Sequence, residues 1–297
     1  MTKYIFKTKF VKNAKEYLQA SKKHYQVIQF PDEKRKSILA ALKKHSNDSL
    51  EDLYEYYLIL SNRKKSKYNK INKECFEVCQ KLAENESVRG IAGLGYCYYV
   101  GCAVESDLRK ALIYLRIAAQ EGFAPAQFNL YHLLKQKGAY QDLEEANKWV
   151  RIAAEQEYAK AEFALGRDLY MNDNEESLKW FLKAYKQKWM DASYYIGDIY
   201  AMRGEDEKAI PYFKKAVSQG YDVYGELGVI YMKRKEEKTA ISWFKRGADL
   251  GSHGCCVHLG KYYAPTNPKL ARKYFNKALN MELDYTNDYE VFFKDSK

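Results

Sequence analysis

Residues 94–127, LGYCYYVGCAVESDLRKALIYLRIAAQEGFAPAQ, decide the fold. The stretch opens on the pair Leu94-Gly95, passes through a loop of small residues and continues as DLRKALIYLRIAAQ, where Ala111 and Tyr114 stand three apart on one helix face. Apolar residues on both sides follow helical spacing, so the segment reads as helix, turn, helix. The opening pair returns as Leu130-Tyr131, Leu165-Gly166, Ile196-Gly197, Leu227-Gly228 and Leu259-Gly260, and only the second copy lacks the glycine. The second marker returns as Ala146/Trp149, Ser177/Trp180, Ala209/Tyr212, Ala240/Trp243 and Ala271/Tyr274. A two-helix unit repeated in this way is one supersecondary element that buries its apolar face only by stacking on copies of itself.

The marker spacings carry geometry. From the second marker of one unit to the Leu of the next the counts are 19, 19, 19, 18 and 19, whereas from Leu to second marker they are 17, 16, 12, 13, 13 and 12. The variable part is therefore the turn inside each unit, which runs over the surface and is free to shorten. The connection between units is held constant because each second helix must meet the first helix of the next. Small residues at the Leu-Gly position let backbones approach closely, and the aromatic three after each Ala or Ser is expected to fill the gap. Gly122, Gly220 and Gly251 read as helix C-caps. No stretch shows a sustained two-residue alternation, so the expectation is an all-α chain of paired helices.

These residues resemble the Sel-one-like repeat (SLR) family, relatives of the tetratricopeptide solenoids, and the resemblance implies a right-handed α-solenoid of paired antiparallel helices. The resemblance in the first unit rests on Leu94, Gly95, Tyr98, Gly101, Val104, Asp107, Lys110, Ala111, Ala118, Ala119, Gly122, Ala126 and Gln127, with Ala103 where Gly is usual and Tyr114 where Trp is usual. The second unit loses the first glycine and the loop motif, and units three to six use a shorter internal turn. Six repeats are expected over residues 90–282. Upstream, residues 49–89 read as a degenerate helix pair, SLEDLYEYYLIL followed by a worn second helix carrying Cys75, Val78, Leu82 and Ala83. Residues 1–48 read as a basic helical cap containing amphipathic helices over 11–25 and 31–45, and residues 283–297 as a C-terminal cap or tail, since repeat arrays need polar ends.

Charge is distributed unevenly. Of the net +11, all belongs to residues 1–73, with 18 basic and 7 acidic side chains, while residues 74–297 hold 32 of each sign. The clusters Lys34, Arg35, Lys36 and Arg63, Lys64, Lys65 with Lys67 offer a second contact, for an acidic protein patch or an anionic surface. Nucleic acid ranks lower, because no recognition motif accompanies the charge and a lysine-rich solvated cap face accounts for it. No apolar run nears the roughly 18 residues of a membrane span, so no membrane insertion is expected. The opening MTKYIFKTKFVKNAKEY has no apolar signal core, which points to the cytoplasm of a bacterial cell, where the six cysteines stay reduced.

No phosphate-binding Gly loop, nucleophile elbow, HExxH or CxxC pair is present, so we expect no catalytic residue, no cofactor and no metal. His253, Cys255, Cys256 and His258 fall within six residues, but Cys255 takes the small buried slot of Ala126, Ala161 and Ala192, so the cluster reads as structural. Cys75 and Cys79 share a helix face as small apolar residues. In tetratricopeptide-like arrays the first helix of each unit lines the concave face. The resemblance then places Tyr96, Tyr99, Phe128, His132, Phe163, Arg167, Tyr170, Met171, Tyr194, Asp198, Met202, Met232, Lys233 and Lys261 in a partner-binding groove, with Phe128, Phe163 and Tyr194 open to the alternative of packing against the next unit. Aromatics, Met and Arg with few other charges suit a protein or peptide partner. The expected function is a non-catalytic interaction scaffold; a bacterial immunity protein that inhibits a toxin is the alternative, and a β-lactam or amide hydrolase ranks below both.

Overall fold

The computed structural model describes residues 8–10, 27–29 and 69–280. The chain divides into two compact units, Met1–Met171 and Asn172–Lys297. Within the first, strands β1 (Thr8–Phe10) and β2 (Val27–Gln29) pair in parallel, with Thr8 opposite Val27 and Phe10 opposite Gln29. This pair was not expected from the sequence, because three residues are too few to display an alternating pattern. The helices expected over 11–25, 31–45 and 49–60 lie outside the described residues.

The first unit continues as α1 (Asn69–Glu84), α2 (Val88–Val100), α3 (Leu108–Gln120), α4 (Ala124–Lys135), α5 (Leu143–Glu155) and α6 (Ala159–Leu169). The second holds α7 (Asn174–Lys186), α8 (Ala192–Met202), α9 (Asp206–Ser218), α10 (Tyr224–Lys233), α11 (Glu237–Asp249), α12 (His253–Tyr263) and α13 (Pro268–Leu279). Pairs α2/α3 and α4/α5 in the first unit, and α8/α9, α10/α11 and α12/α13 in the second, are the helix pairs of an α-solenoid. The worn helix expected over residues 73–90 is α1, with Cys75, Val78, Cys79 and Leu82 buried against Leu94 of α2.

What packs on the Leu-Gly glycine is not the aromatic three residues after the second marker but the residue four after it. A Cβ on Gly95 would stand 2.8 Å from Leu115, on Gly197 2.8 Å from Phe213, on Gly228 2.2 Å from Phe244 and on Gly260 2.7 Å from Phe275. Those four side chains are at most 2% exposed. The expectation for the residues three after the marker is corrected accordingly: most of those aromatics are half-buried at the rim, as Trp149 is, its Nε1 donating to Glu145 Oε1 at 3.1 Å, while Trp180 is buried and its Nε1 donates to Glu176 Oε1 at 3.3 Å. A Trp or Tyr ring with a polar tip belongs where apolar body and water meet. The second pair exchanges the sizes, with Tyr131 in place of Gly and Val150 in place of Leu or Phe, and both are buried.

Each inter-pair junction closes with one hydrogen-bond pattern. After α3, Gly122 N–H donates to Ala119 and Phe123 N–H to Ala118; after α5, Glu157 to Ala154 and Tyr158 to Ala153; after α9, Gly220 to Val217 and Tyr221 to Ala216. This is the Schellman turn, which needs a left-handed residue at its pivot. The pivots are Glu86, Gly122, Glu157, Lys188, Gly220 and Gly251, all with φ between 58° and 89°. Glycine thus marks three of six turns that share one geometry. A buried amide adds to the junctions of the first unit: Gln127 Nε2 donates to Ala119 O at 3.0 Å, and Gln156 Nε2 to Gln127 Oε1 at 2.7 Å. The second helices α3, α5 and α13 start on side-chain caps, Asp107 Oδ1 accepting from Lys110 N at 3.0 Å, Asp142 Oδ1 from Glu145 N at 2.9 Å and Asn267 Oδ1 from Leu270 N at 3.0 Å, whereas α9 and α11 have none.

Candidate functional site

In the first unit the first helices α2, α4 and α6 present one stripe of side chains. The Leu markers Leu94, Leu130 and Leu165 are buried, and two residues on, less than a quarter turn past the opposite side of the helix, stand Tyr96, His132 and Arg167, all exposed. Tyr96 is 39% exposed. Tyr99, half-buried, accepts a hydrogen bond at its hydroxyl from Gln136 Nε2 at 2.6 Å. Tyr170 is half-buried, and Met171 is 84% exposed. Phe128 packs inward: its ring lies 5.5 Å from Tyr158, the residue that opens the next first helix, and 4.5 Å edge-on from His132. Phe163 is half-buried as well.

His132 sits at the middle of this stripe in a field of cations. Burial first, then Lys135, Arg167 and Lys160, hold its imidazole below the ordinary histidine pKa, with Asp168 the opposing charge. Asp168 is engaged: Tyr131 Oη donates to its Oδ2 at 2.9 Å, Lys135 Nζ donates to Tyr131 Oη at 2.9 Å, and Lys135 and Asp168 form an ion pair. Lys160 and Arg167 carry the surplus positive charge.

In the second unit Tyr194 stacks on Tyr221 at 5.5 Å and 9°, again packing forward onto the residue that leads toward the next first helix, while Asp198 and Met232 are half-buried. Met202 is 57% exposed, and Lys233 and Lys261 are exposed. A hollow of about 410 Å³ opens among α8, α10 and α12, lined by Asp222, Glu226, Val229, Lys233, Gly254 and His258 among others. Desolvation first, then the carboxylates of Asp222 and Asp198, push the Glu226 carboxyl above its ordinary pKa. Only Lys233 of these lining residues was expected from the sequence. Glu226 and His258 stand one before their Leu markers, a position the transferred register leaves out.

Two further features were missed. Leu108, Ile113, Ile117, Leu143 and Ile152 on the second helices α3 and α5 are large apolar side chains exposed by 37–53%. Cys75, Cys79, Cys97 and Cys102, scattered over two helices and a loop in sequence, come together beside α2. The basic clusters Lys34, Arg35, Lys36, Arg63, Lys64, Lys65 and Lys67 lie outside the described residues. His253, Cys255 and Cys256 are buried, and burial pushes the Cys255 thiol up to about 11. His258 lies flat against Phe244, ring centroids 4.8 Å apart, so this cluster packs as core. Among the described residues no three His, Cys, Asp or Glu converge as a metal would need, and no helix is long and apolar enough to cross a membrane.

The chain matches the family model described as the Sel1 repeat over residues 88–123, 124–158, 159–188, 192–221, 224–252 and 253–282. These bounds follow the helix pairs, each beginning at or next to a first helix. None of the curated proteins compared with the chain matches it. Among solved structures it is similar to a Sel1 repeat protein from Oxalobacter formigenes, at 23% identity and a TM-score of 0.55, over 76% of this chain and 99% of that one. It is also similar to c5321, a protective antigen of uropathogenic Escherichia coli strains with an SLR fold, at 22% identity and a TM-score of 0.63, over 96% of this chain and 64% of that one. At these identities the likeness is one of fold. The immunity protein Pa5087 from Pseudomonas aeruginosa aligns at 17% identity over 79% of this chain and 83% of that one, and its TM-score of 0.38 is too low to bear on function.

Proposed function

Because the chain belongs to the Sel1 repeat family, we propose that it is a non-catalytic binding protein that holds a segment of another protein against its first helices, with the face of α2, α4 and α6 taking an acidic stretch. The observation that carries this reading is the exposed line of Tyr96, His132 and Arg167 on a rigid, fully packed support, with Lys160 and Lys135 around His132. Side chains of this kind supply binding energy because Tyr and Arg bury large area at small entropic loss, and the cations select a partner of opposite charge. Rigid packing below means that little ordering is left to be done on binding.

The test is a capture experiment with the intact protein, repeated with Tyr96, His132 and Arg167 changed to Ala. The triple variant should lose the partner, and capture by the unchanged protein should weaken as salt rises. A second variant, Ile113→Ser with Ile117→Ser, should keep it. A partner held by the triple variant but lost with the isoleucines would move the contact to the second helices and refute the reading.

A further inference from the structure

Four of the six cysteines form a string at the α1–α2 packing. Cys79 shares hydrogen bonds with Cys75 and Cys97, and Cys97 in turn with Cys102. Cys75, Cys79 and Cys97 are buried; Cys102, just beyond α2, is partly exposed. The arrangement is linear, and no three of these groups converge on a point as a metal site would require. The hydrogen bonds from Cys102 and from Cys79 hold the Cys97 thiol well below that of a free cysteine, against the opposing effect of burial. Hydrogen bonds to Cys75 and Cys97 hold Cys79 far above it.

The backbone sets the distance between the last two members. Gly101 caps α2 in the left-handed conformation, φ 70°, and turns the chain back so that Cys102 N–H donates to Cys97 O at 2.9 Å. With standard bond lengths on either side, that hydrogen bond keeps the two Cα atoms within about 7 Å, near the upper limit of the span that disulfides bridge. Glycine takes this φ without the strain that a Cβ would add.

We propose that Cys102 and Cys97 are a thiol oxidation site for a low-molecular-weight disulfide such as oxidised glutathione. Cys102, as its thiolate, attacks one glutathione sulfur; the glutathione S–S bond breaks, and one glutathione thiolate leaves and takes a proton from water. Cys97, as its thiolate, then attacks the Cys102 sulfur of the mixed disulfide, the bond to glutathione breaks, and the second glutathione thiolate leaves. Two cysteine thiols have lost two hydrogens and one glutathione disulfide has become two thiols. The partly exposed member meets the oxidant and the buried member, whose thiol the hydrogen bonds hold toward the thiolate, resolves it, the order that access dictates.

The sequence makes the test direct. Trypsin cuts after Arg89 and Arg109 and nowhere between, so residues 90–109 form one peptide holding Cys97 and Cys102 and no other cysteine, while Cys75 and Cys79 fall in residues 74–81. The intact protein is incubated with oxidised glutathione, alkylated under denaturing conditions, digested and weighed. The 90–109 peptide should be lighter by two hydrogens and closed to alkylation, and the 74–81 peptide should carry two alkyl groups. Cys97→Ser should stop at one glutathione on Cys102, and Cys102→Ser should leave Cys97 unmodified. A cross-link between the two peptides, or both cysteines of 90–109 fully alkylated in the unchanged protein, would overturn the assignment.

Discussion

At the residue scale the repeat is a matter of one missing side chain facing one large one. Gly228 has no room for a Cβ, which would stand 2.2 Å from Phe244 Cε1. Gly228→Ala should destabilise the protein by about 2–3 kcal/mol, seen as a lower urea midpoint with unchanged slope. Gly220→Ala is the control: its added Cβ meets nothing within 4 Å, so only the φ of 88° counts, and the loss should be nearer 1 kcal/mol. The Leu-Gly markers were plain in the sequence because glycine inside a helical pattern is conspicuous. The partner was misread because residues three and four along a helix share a stripe, and Tyr114, Tyr212 and Trp243 at the third position catch the eye before Leu115, Phe213 and Phe244 at the fourth. The polar tip, which Trp149 spends on Glu145, is the physical reason that such a ring stays at the rim.

At the element scale the turns between pairs carry the pattern. Glu157 and Lys188 hold φ of 62° and 71° where Gly220 and Gly251 do the same work without strain. Glu157→Gly and Lys188→Gly should each therefore stabilise by about 1 kcal/mol in thermal or urea unfolding. Three junctions were legible from their glycines; the others were not, because a left-handed Glu or Lys leaves no mark in composition. On the first-helix face, the positions two after each Leu were legible since helical spacing alone puts them away from the seam. Phe128 and Tyr194 were ambiguous, because a half-buried ring looks the same in sequence whether it borders a groove or stacks on Tyr158 or Tyr221. His132 gives this face a pH signature. Its native pKa lies below the unfolded value of about 6.5, so between the two the unfolded chain binds more protons and stability rises with pH. Urea midpoints should fall as pH drops from about 6.5 toward the native pKa, and His132→Gln should flatten that slope. An acidic segment on Lys160 and Arg167 would raise the His132 pKa, so its binding should take up a proton and tighten as pH falls.

At the scale of the whole molecule the bulk charge is a poor guide to either unit. Residues 74–297 are neutral in sum. Yet Lys135, Lys160 and Arg167 surround His132 in the first unit, and Asp198 and Asp222 flank Glu226 in the second. Only placement in space separates those two environments, which is why the sequence could give the family and the stripe but not the polarity of each face. Repeat arrays hold together through neighbours. Phe244→Ala, which empties the seam of α10 and α11, should cost about 3–5 kcal/mol. Hydrogen exchange should show the protection lost across α10 to α12 first, with α2 to α5 less affected.

The contrast between the two kinds of turn sets where the chain can change length. A residue inserted at the Glu157 junction would advance α6 by one position, about 100° around its axis, and carry Arg167 out of line with His132 and Tyr96. The same insertion beside Gly138, in the internal turn between α4 and α5, meets open space, since a Cβ there touches nothing within 4 Å. One edge of the repeat thus keeps phase and the other is free to grow. A foreign loop or tag grafted into the turn between α4 and α5 should leave every helix where it was, whereas the junctions accept substitution but not length.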